Sequence, residues 1–196
     1  MQKVNFVKTS IPESQYKQKY SLGNTIVYHI GTTFNNEQNT YECYECTVPA
    51  STFDEDDVKL AFNEFITKIK AIQLKQAKTE KIAEITAYDT SSSVNGFTLN
   101  GLLVWLDKAT RVGLMNSTTI AKAAGQKTTT LWLGGVKLVV DCDKAIQLLS
   151  ALEMYALECF NVTASHKAAV GELKTIGEVE AYDYKTGYPK MLEMSV

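Results

Sequence analysis

Arginine is nearly absent from this sequence of 196 residues, because Arg111 is the only arginine among 20 basic residues and the others are lysines. The formal net charge is −2. Arginine is the side chain that reads phosphates and guanine edges with paired hydrogen bonds, and nucleic-acid-binding domains carry a clustered basic surface. We therefore expect this protein to have no nucleic-acid partner.

Long apolar runs are also missing from the sequence. No stretch approaches the roughly 18 apolar residues that cross a bilayer, and the first residues lack the apolar segment of a signal peptide. Apolar residues nevertheless make up 45% of the chain, which is enough for a packed core in one large or two small domains. We expect no membrane partner, and synthesis in a cytoplasm that the protein leaves only as part of a particle.

Cysteine is sparse, and two of the four cysteines, Cys43 and Cys46, have the C-x-x-C spacing of metal and redox sites. The surrounding residues 41–48 predict a strand, on which side chains three apart point to opposite faces. A zinc site needs about four ligands, and the other two thiols lie far along the chain. The sequence therefore predicts ordinary reduced thiols and no metal site.

Histidine is equally scarce, with only His29 and His166 available for acid–base chemistry. Catalysis by a histidine requires an acid that orients it and a nucleophile that it activates. Cys159 is the cysteine nearest to His166, and we predict a helix break between them. The acidic residues occupy predicted helix starts and ends rather than apolar surroundings that would raise a carboxyl pKa. We expect neither catalytic residues nor a cofactor, and hence no enzyme.

The N-terminal residues 1–53 predict a β-rich unit. Residues 24–30 alternate, with Ile26, Tyr28 and Ile30 on one face, and residues 40–48 are dense in aromatic and β-branched side chains. The turn-rich residues 31–39 between them predict a hairpin with a long loop. Such a small β unit is marginally stable alone and must pack on something.

A long helix is predicted over residues 54–86, within a connecting segment 54–89. Ser51 and Thr52 are candidate caps, and acidic residues fill the first turn. Spacings of three and four predict one apolar stripe on this helix, and its members are Val58, Phe62, Phe65, Ile69 and Ile72. The stripe is expected either to pack on the N-terminal sheet or to pack against copies of itself.

Residues 90–196 predict a second α+β domain in the order ββαββαα, with antiparallel hairpins. Asn100-Gly101 and Gly134-Gly135 are turn pairs between short apolar runs. Asp107 is a candidate cap for a helix that runs to about residue 124, and two further helices are predicted from about residue 142 to residue 160 and from about residue 165 to residue 180. The apolar positions of the first of these two are Ala145, Leu148, Leu149, Leu152, Tyr155, Ala156, Cys159 and Phe160. The fold class expected for the whole chain is α+β.

Several motifs of this second half resemble a known protein family. The motifs are Val94-Asn-Gly-Phe-Thr-Leu-Asn-Gly101, Trp105-Leu-Asp107, Thr110-Arg-Val-Gly-Leu114, Thr130-Leu-Trp-Leu-Gly134, Leu152-Glu-Met-Tyr-Ala156 and Thr163-Ala-Ser-His166. Residues 88–192 resemble uncharacterised phage and prophage proteins that are classed as a domain of unknown function. That family occurs in tailed-phage gene clusters, often near tail or fibre genes and commonly in phages of Bacteroidales-type bacteria. The resemblance implies a role in a virion or in building one, and it brings no catalytic residues.

Within this half, Trp105, Arg111 and Trp132 are candidate interface residues, since a guanidinium stacks on an indole and pairs with a carboxylate. The alternative for Arg111 is a structural arginine that ties its helix to a loop acid. The aromatic segment 183–189 adds Tyr184 and Tyr188, which are expected either to dock on a neighbouring chain or to pack on their own domain.

From these features we expect a bacteriophage virion structural protein of the neck, tail or fibre region. It would form homo-oligomers, bind other phage structural proteins, and reside in the virion after assembly in the host cytoplasm. The first alternative is an assembly factor or chaperone for tail fibres that is absent from the virion. The second is a small phage enzyme or a bacterial regulator.

Overall fold

The computed structural model describes residues 4–196, so the first three residues of the predicted β-rich unit lie outside it. The predicted α+β class is confirmed. The chain forms two compact units, Met1–Gln73 and Leu74–Val196, which we call the N-terminal and C-terminal units. None of the helices in the described chain combines the length and apolar character needed to span a membrane.

A four-stranded antiparallel sheet forms the N-terminal unit. Its strands are β1 (Val7–Pro12), β2 (Lys19–Leu22), β3 (Thr25–Asn35) and β4 (Thr40–Pro49), in the order β1-β4-β3-β2. The predicted hairpin is the β3–β4 pair, but its loop is shorter than the predicted 31–39. Strand β3 continues to Asn35 because an irregularity in register between Ile30 and Thr33 lets pairing with β4 resume.

A single long helix, α1 (Glu55–Asp89), follows the sheet and contributes to both units. Its cap is Asp54 rather than the predicted Ser51 or Thr52. The Asp54 carboxylate accepts hydrogen bonds from the backbone N–H groups of Asp56 (3.0 Å) and Asp57 (2.9 Å). The Asp57 carboxylate accepts one in return from the Asp54 backbone N–H, at 3.3 Å. This reciprocal arrangement supplies the partners that the first helical N–H groups need.

The division between the two units falls within α1, whereas the sequence suggested a boundary near residue 90. Ile85 in the second half of the helix is fully buried, and it packs with Val170 and Val179 of the C-terminal unit. The first half packs instead on the N-terminal sheet. The first half of the helix therefore belongs to one hydrophobic core and the second half to another.

The apolar stripe of α1 packs on the protein's own N-terminal sheet over most of its length. Val58 is completely buried among sheet residues. The ring of Phe6 lies 5.2 Å from that of Phe62 and 5.1 Å from that of Phe65, measured between centroids. Ile69 is half-buried and Ile72 is exposed. The N-terminal sheet therefore covers the stripe from Val58 to Phe65, and the end of the stripe at Ile72 is uncovered.

The C-terminal unit contains the predicted ββαββαα order with two additions. Its elements are α2 (Ser92–Asn95), β5 (Phe97–Leu99), β6 (Leu102–Val104), α3 (Lys108–Ala123), β7 (Thr128–Leu133), β8 (Val136–Asp141), α4 (Cys142–Glu172), α5 (Ile176–Ala181) and β9 (Leu192–Met194). The additions are α2 and β9. Strand β9 pairs in parallel with β5, while β5–β6 and β7–β8 are antiparallel hairpins.

The turns of both hairpins have the predicted form. Asn100 and Gly101 adopt φ values of 49° and 81°, and Gly134 and Gly135 adopt 57° and 83°. Positive φ at both central residues is typical of the type I′ turn, whose twist matches that of the strands. These two turns bring the inward faces of the hairpins onto α4, in a core that includes Phe97, Leu99, Leu131, Leu133, Ala145, Leu149 and Leu152.

The predicted break after residue 160 is wrong, because α4 continues without interruption from Cys142 to Glu172. Thr163 lies in the stretch that was expected to break, and it is buried. Its hydroxyl donates to Asp89 at 2.8 Å and lies 2.9 Å from the Tyr188 hydroxyl. These contacts fix the helix where propensity alone predicts an end. The real end comes before Thr175, which begins α5 with a capping box.

Candidate functional site

A cleft of about 410 Å³ lies in the C-terminal unit, entirely among residues 89–160. The segment 105–107, which joins β6 to α3, forms one side together with the first turn of α3. The middle of α4 forms another side, and the residues around α2 complete the rim. The cleft is thus assembled from three regions that are distant in the sequence.

Apolar side chains form the walls of this cleft. Trp105 is 40% exposed, Leu157 is 50% exposed and Phe160 is 59% exposed, and all three line it. Leu157 and Phe160 are three residues apart, so they share one face of α4. The neighbouring face of the same helix is buried in the core through residues such as Leu152 and Cys159. Large apolar side chains gathered around a concave site are a feature of binding surfaces.

Arg111 lines the cleft and is only 8% exposed. Its Nε donates to Glu153 Oε1 on α4 at 2.9 Å, and its Nη1 donates to the Leu106 carbonyl at 2.8 Å. The predicted structural role is therefore present, although the acid belongs to a helix rather than a loop. These bonds tie α3, α4 and the segment 105–107 together. Because Trp105 precedes Leu106, Arg111 also fixes the backbone that carries the Trp105 indole.

Asp107 holds the same segment from its other end. Its carboxylate caps α3 as predicted, accepting hydrogen bonds from the backbone N–H of Thr110 at 2.8 Å and from the Thr110 hydroxyl at 2.6 Å. The hydroxyl bond and then the backbone bond hold the pKa of Asp107 below its ordinary value. The carboxylate is thus charged at neutral pH, with both oxygens engaged.

The rim around α2 is fixed by hydrogen bonds to main-chain carbonyls. The Asn95 side-chain amide donates to the Asp89 carbonyl at 2.7 Å, and the Tyr155 hydroxyl donates to the Val94 carbonyl at 2.8 Å. Burial raises the pKa of Tyr155 to about 12, so its hydroxyl keeps its proton at neutral pH. The cleft therefore has rims built on helices and anchored loops, which is the condition for a preformed site.

The charges that line the cleft nearly balance. Asp89, Asp107 and Glu153 contribute three negative charges, and Lys108 and Arg111 contribute two positive charges, which leaves one negative charge. Arg111 is paired directly with Glu153. A surface with this charge does not attract an anion. The apolar walls are therefore the main feature by which the cleft could recognise a ligand.

The structure thus brings two of the predicted interface residues, Trp105 and Arg111, into one site. The third, Trp132, lies elsewhere in the unit, on the outward face of the β7–β8 hairpin, where it is 59% exposed. Leu157, Phe160 and Glu153 complete the site and were not singled out from the sequence. The spacing of apolar residues groups Phe160 with the other apolar positions of its helix, but the side chain is 59% exposed.

Tyr184 and Tyr188, also predicted as interface candidates, pack within the C-terminal unit. Both rings lie 5.7 Å from that of Tyr88, in edge-on arrangements. His166 fastens the same segment to α4, with its Nε2 donating to the Thr186 carbonyl at 2.9 Å and its Nδ1 lying 2.8 Å from the Tyr182 hydroxyl. The aromatic segment is therefore held by its own unit.

His29 is buried in the N-terminal sheet and is engaged on both ring nitrogens. Its Nδ1 donates to the Lys17 carbonyl, and its Nε2 lies 3.2 Å from a Glu45 carboxylate oxygen. The rings of Tyr16 and Tyr20 flank it at 5.7 and 5.9 Å. Both histidines of the protein thus serve as connectors between segments of their own units.

The four cysteines are buried free thiols. Cys46 packs in the core between sheet and helix, and Cys43 points to the opposite face of β4, as the strand spacing predicted. Burial raises the pKa of Cys46 to about 11 and also raises that of Cys43 and Cys159. Within residues 4–196 no group of three or more potential metal ligands occurs.

The fold and the cleft together define an α+β protein whose C-terminal unit carries a small cleft with apolar walls. Residues 76–186 match the family described as Domain of unknown function (DUF4376), and the chain belongs to this family. The resemblance to an uncharacterised domain family is thereby confirmed. Every residue that lines the cleft falls inside the matched range. No curated protein and no solved structure matches the chain.

Proposed function

We propose that this protein works by binding other proteins, and that it is a bacteriophage virion structural protein of the neck, tail or fibre region. The observation that carries the first part is the cleft with its exposed walls of Trp105, Leu157 and Phe160. The phage setting rests on the resemblance of the motifs in residues 88–192. Location in the virion, after assembly in the host cytoplasm, is part of the same proposal.

The energetics of the cleft favour a macromolecular partner. Fully burying an exposed large apolar side chain contributes about 1.5–3 kcal/mol, and each of the three that stand together here is about half-exposed, so each can contribute about half of that. Aromatic residues in a pocket that becomes fully dry are the usual sources of binding energy at protein interfaces. A partner that covers the walls therefore gains several kcal/mol before its other contacts are considered.

Assembly in several copies belongs to the proposal as well. The stripe of α1 is mostly occupied by the N-terminal sheet, so self-association through this helix would have to use its uncovered residues Leu60 and Ile72. Light scattering of the purified protein measures this directly. A mass of one chain at micromolar concentration would remove homo-oligomers from the proposal without affecting the binding of other proteins.

Mass spectrometry of purified phage particles tests the proposed function. The phage that carries the gene is grown, purified on a density gradient and digested, and the copy number is obtained against isotope-labelled peptides. A fixed copy number per particle supports a structural protein. Presence in infected cells together with absence from particles would contradict it and would favour the chaperone alternative.

A further inference from the structure

We propose that the cleft of the C-terminal unit binds an extended peptide segment of a partner protein. The segment inserts an uncharged large apolar side chain between Trp105 and Phe160, and one of its backbone carbonyls accepts a hydrogen bond from Arg111. This inference rests on the proposed function, because it specifies the chemistry of the partner that the protein binds.

The hydrogen bonding of Arg111 indicates a missing acceptor. A guanidinium has five N–H donors, and only Nε and Nη1 have acceptors among the residues that the structure describes. The side chain itself is nine-tenths buried. Since Arg111 lines the cleft, its free donors are available there. A ligand that accepts hydrogen bonds would supply acceptors for the remaining N–H donors of Arg111.

The charges around Arg111 indicate that this acceptor is neutral. Glu153 already pairs with the guanidinium, and Asp89 and Asp107 also line the cleft. A carboxylate or phosphate ligand would meet three carboxylates for two cations and would lose its hydration in an apolar site. A backbone carbonyl offers strong acceptor capacity without a charge. The cleft therefore suits the main chain of a peptide better than an anionic ligand.

The size of the cleft fits a side chain of the partner. Its volume of about 410 Å³ is at the lower end of the range for small-ligand sites. Trp105 and Phe160 offer flat faces, against which an aromatic or long aliphatic side chain packs well. A single large anchor residue with part of its backbone is the occupant that this space favours.

An apolar strip along α4 favours a peptide over a small molecule. Met154 is 59% exposed, and Met154, Leu157 and Phe160 follow one another at intervals of three residues. The helix rises about 9 Å from Met154 to Phe160, and because a row at intervals of three runs at about 45° to the helix axis, the strip is about 13 Å long, which is the length of about four residues of an extended chain. A small ligand confined to the cleft would leave Met154 in water, whereas an extended segment covers the strip.

Selection from a displayed library of random linear heptapeptides, with the immobilised full-length protein as bait, tests the inference. We expect enriched sequences to share a Trp, Phe, Leu or Met with uncharged neighbours. Enrichment of sequences with a fixed Asp, Glu, Lys or Arg in place of that residue would overturn the proposal, and so would the absence of any enrichment.

Affinities of a synthetic enriched peptide for variants locate the site. We expect Trp105→Ala and Phe160→Ala to weaken binding at least tenfold. Trp132→Ala is the matched control, because it removes an indole outside the cleft that is more exposed than Trp105 (59% against 40%), and it should leave binding unchanged. Equal binding by wild type and both cleft variants, or a loss confined to Trp132→Ala, would contradict the proposal. Circular dichroism of each variant confirms that it is folded.

The role of Arg111 is tested from the side of the peptide, which leaves the protein fold intact. Replacing each peptide amide in turn by a thioamide weakens its acceptor. One position should weaken binding to the wild type severalfold and have no such effect on Arg111→Lys. An equal effect on both proteins at every position would show that Arg111 does not donate a hydrogen bond to the peptide backbone. If all peptide tests fail while the protein is found in particles at fixed copy number, this inference fails and the proposed function stands.

Discussion

The two units differ in whether the apolar side chains of their long helices are covered. In the N-terminal unit, the stripe of α1 through Val58, Phe62 and Phe65 is covered by the sheet that precedes it. In the C-terminal unit, α4 buries one face in the core and leaves Leu157 and Phe160 exposed beside a cleft. The difference shows that a stripe at helical spacing predicts burial against something, and only the fold shows whether that partner lies within the chain.

The largest effect is expected from charges placed along the stripe of α1. Val58→Asp puts a carboxylate at a fully buried position and should lower the free energy of unfolding by about 4 kcal/mol. Ile72→Asp, on the same stripe but 66% exposed, should change it by less than about 0.5 kcal/mol. Urea unfolding followed by circular dichroism measures both. Equal effects would mean that the stripe is not divided into covered and uncovered parts.

A smaller effect is expected at Gly31, where strand β3 lies close to the Phe62 ring of α1. Gly31 has a φ of 67°, and a Cβ there would lie 2.6 Å from the ring of Phe62. Gly31→Ala should therefore cost about 2–3 kcal/mol, from backbone strain and overpacking together. Gly23→Ala is the control, because Gly23 has a similar φ of 59° and open space around it. Gly23→Ala should lower the free energy of unfolding by only about 1 kcal/mol. Identical shifts in melting temperature for the two variants would show that Gly31 does not pack closely on Phe62.

In the C-terminal unit, the tie between Arg111 and Glu153 is expected to contribute less than the buried core. Arg111→Ala leaves the Leu106 carbonyl and Glu153 without a donor, and should cost about 1–2 kcal/mol since Glu153 is one-third exposed. A double-mutant cycle with Glu153→Gln measures the coupling, expected at about 1 kcal/mol. Strictly additive effects would show that the pair does not hold the wall of the cleft.

The smallest effect is expected at Asp107, which caps α3 at the end of the segment 105–107. The pKa of Asp107 is lowered in the folded protein, so its contribution is complete above the unfolded pKa and is lost as the pH falls through the folded value. Asparagine also caps helices but does not titrate in this range. Asp107→Asn should therefore lose less thermal stability than the wild type between pH 7 and pH 2.5. An equal loss would show that the cap is not formed.

Local chemistry accounts for the parts of the fold that the sequence predicted well. Both type I′ turns, the α3 cap at Asp107 and the long α1 depend on neighbouring residues, which a sequence displays directly. The opposite orientation of Cys43 and Cys46 follows from strand geometry alone. For the same reason the α1 stripe could be identified residue by residue, although its partner was left open between the sheet and a second copy.

Contacts between residues that are distant in the chain account for the parts of the fold that the sequence did not predict. Strand β9 is only three residues long and pairs with β5 more than 90 positions earlier. The continuation of α4 past residue 160 depends on Thr163 bonding to Asp89, 74 positions earlier. The cleft is of the same kind, because Trp105, Arg111 and Glu153 meet only when α3 and α4 pack together. No local pattern distinguishes the exposed Phe160 from its buried neighbours.

The central claim, that the C-terminal unit binds proteins through the walls of its cleft, is tested most directly by incorporation into phage particles. Phages carrying Trp105→Ala with Phe160→Ala are compared with phages carrying Trp132→Ala, and the copy number per purified particle is measured by quantitative mass spectrometry. We predict at least a tenfold loss for the cleft variant and no change for the control. Equal copy numbers in the two, with both variants folded, would contradict the account.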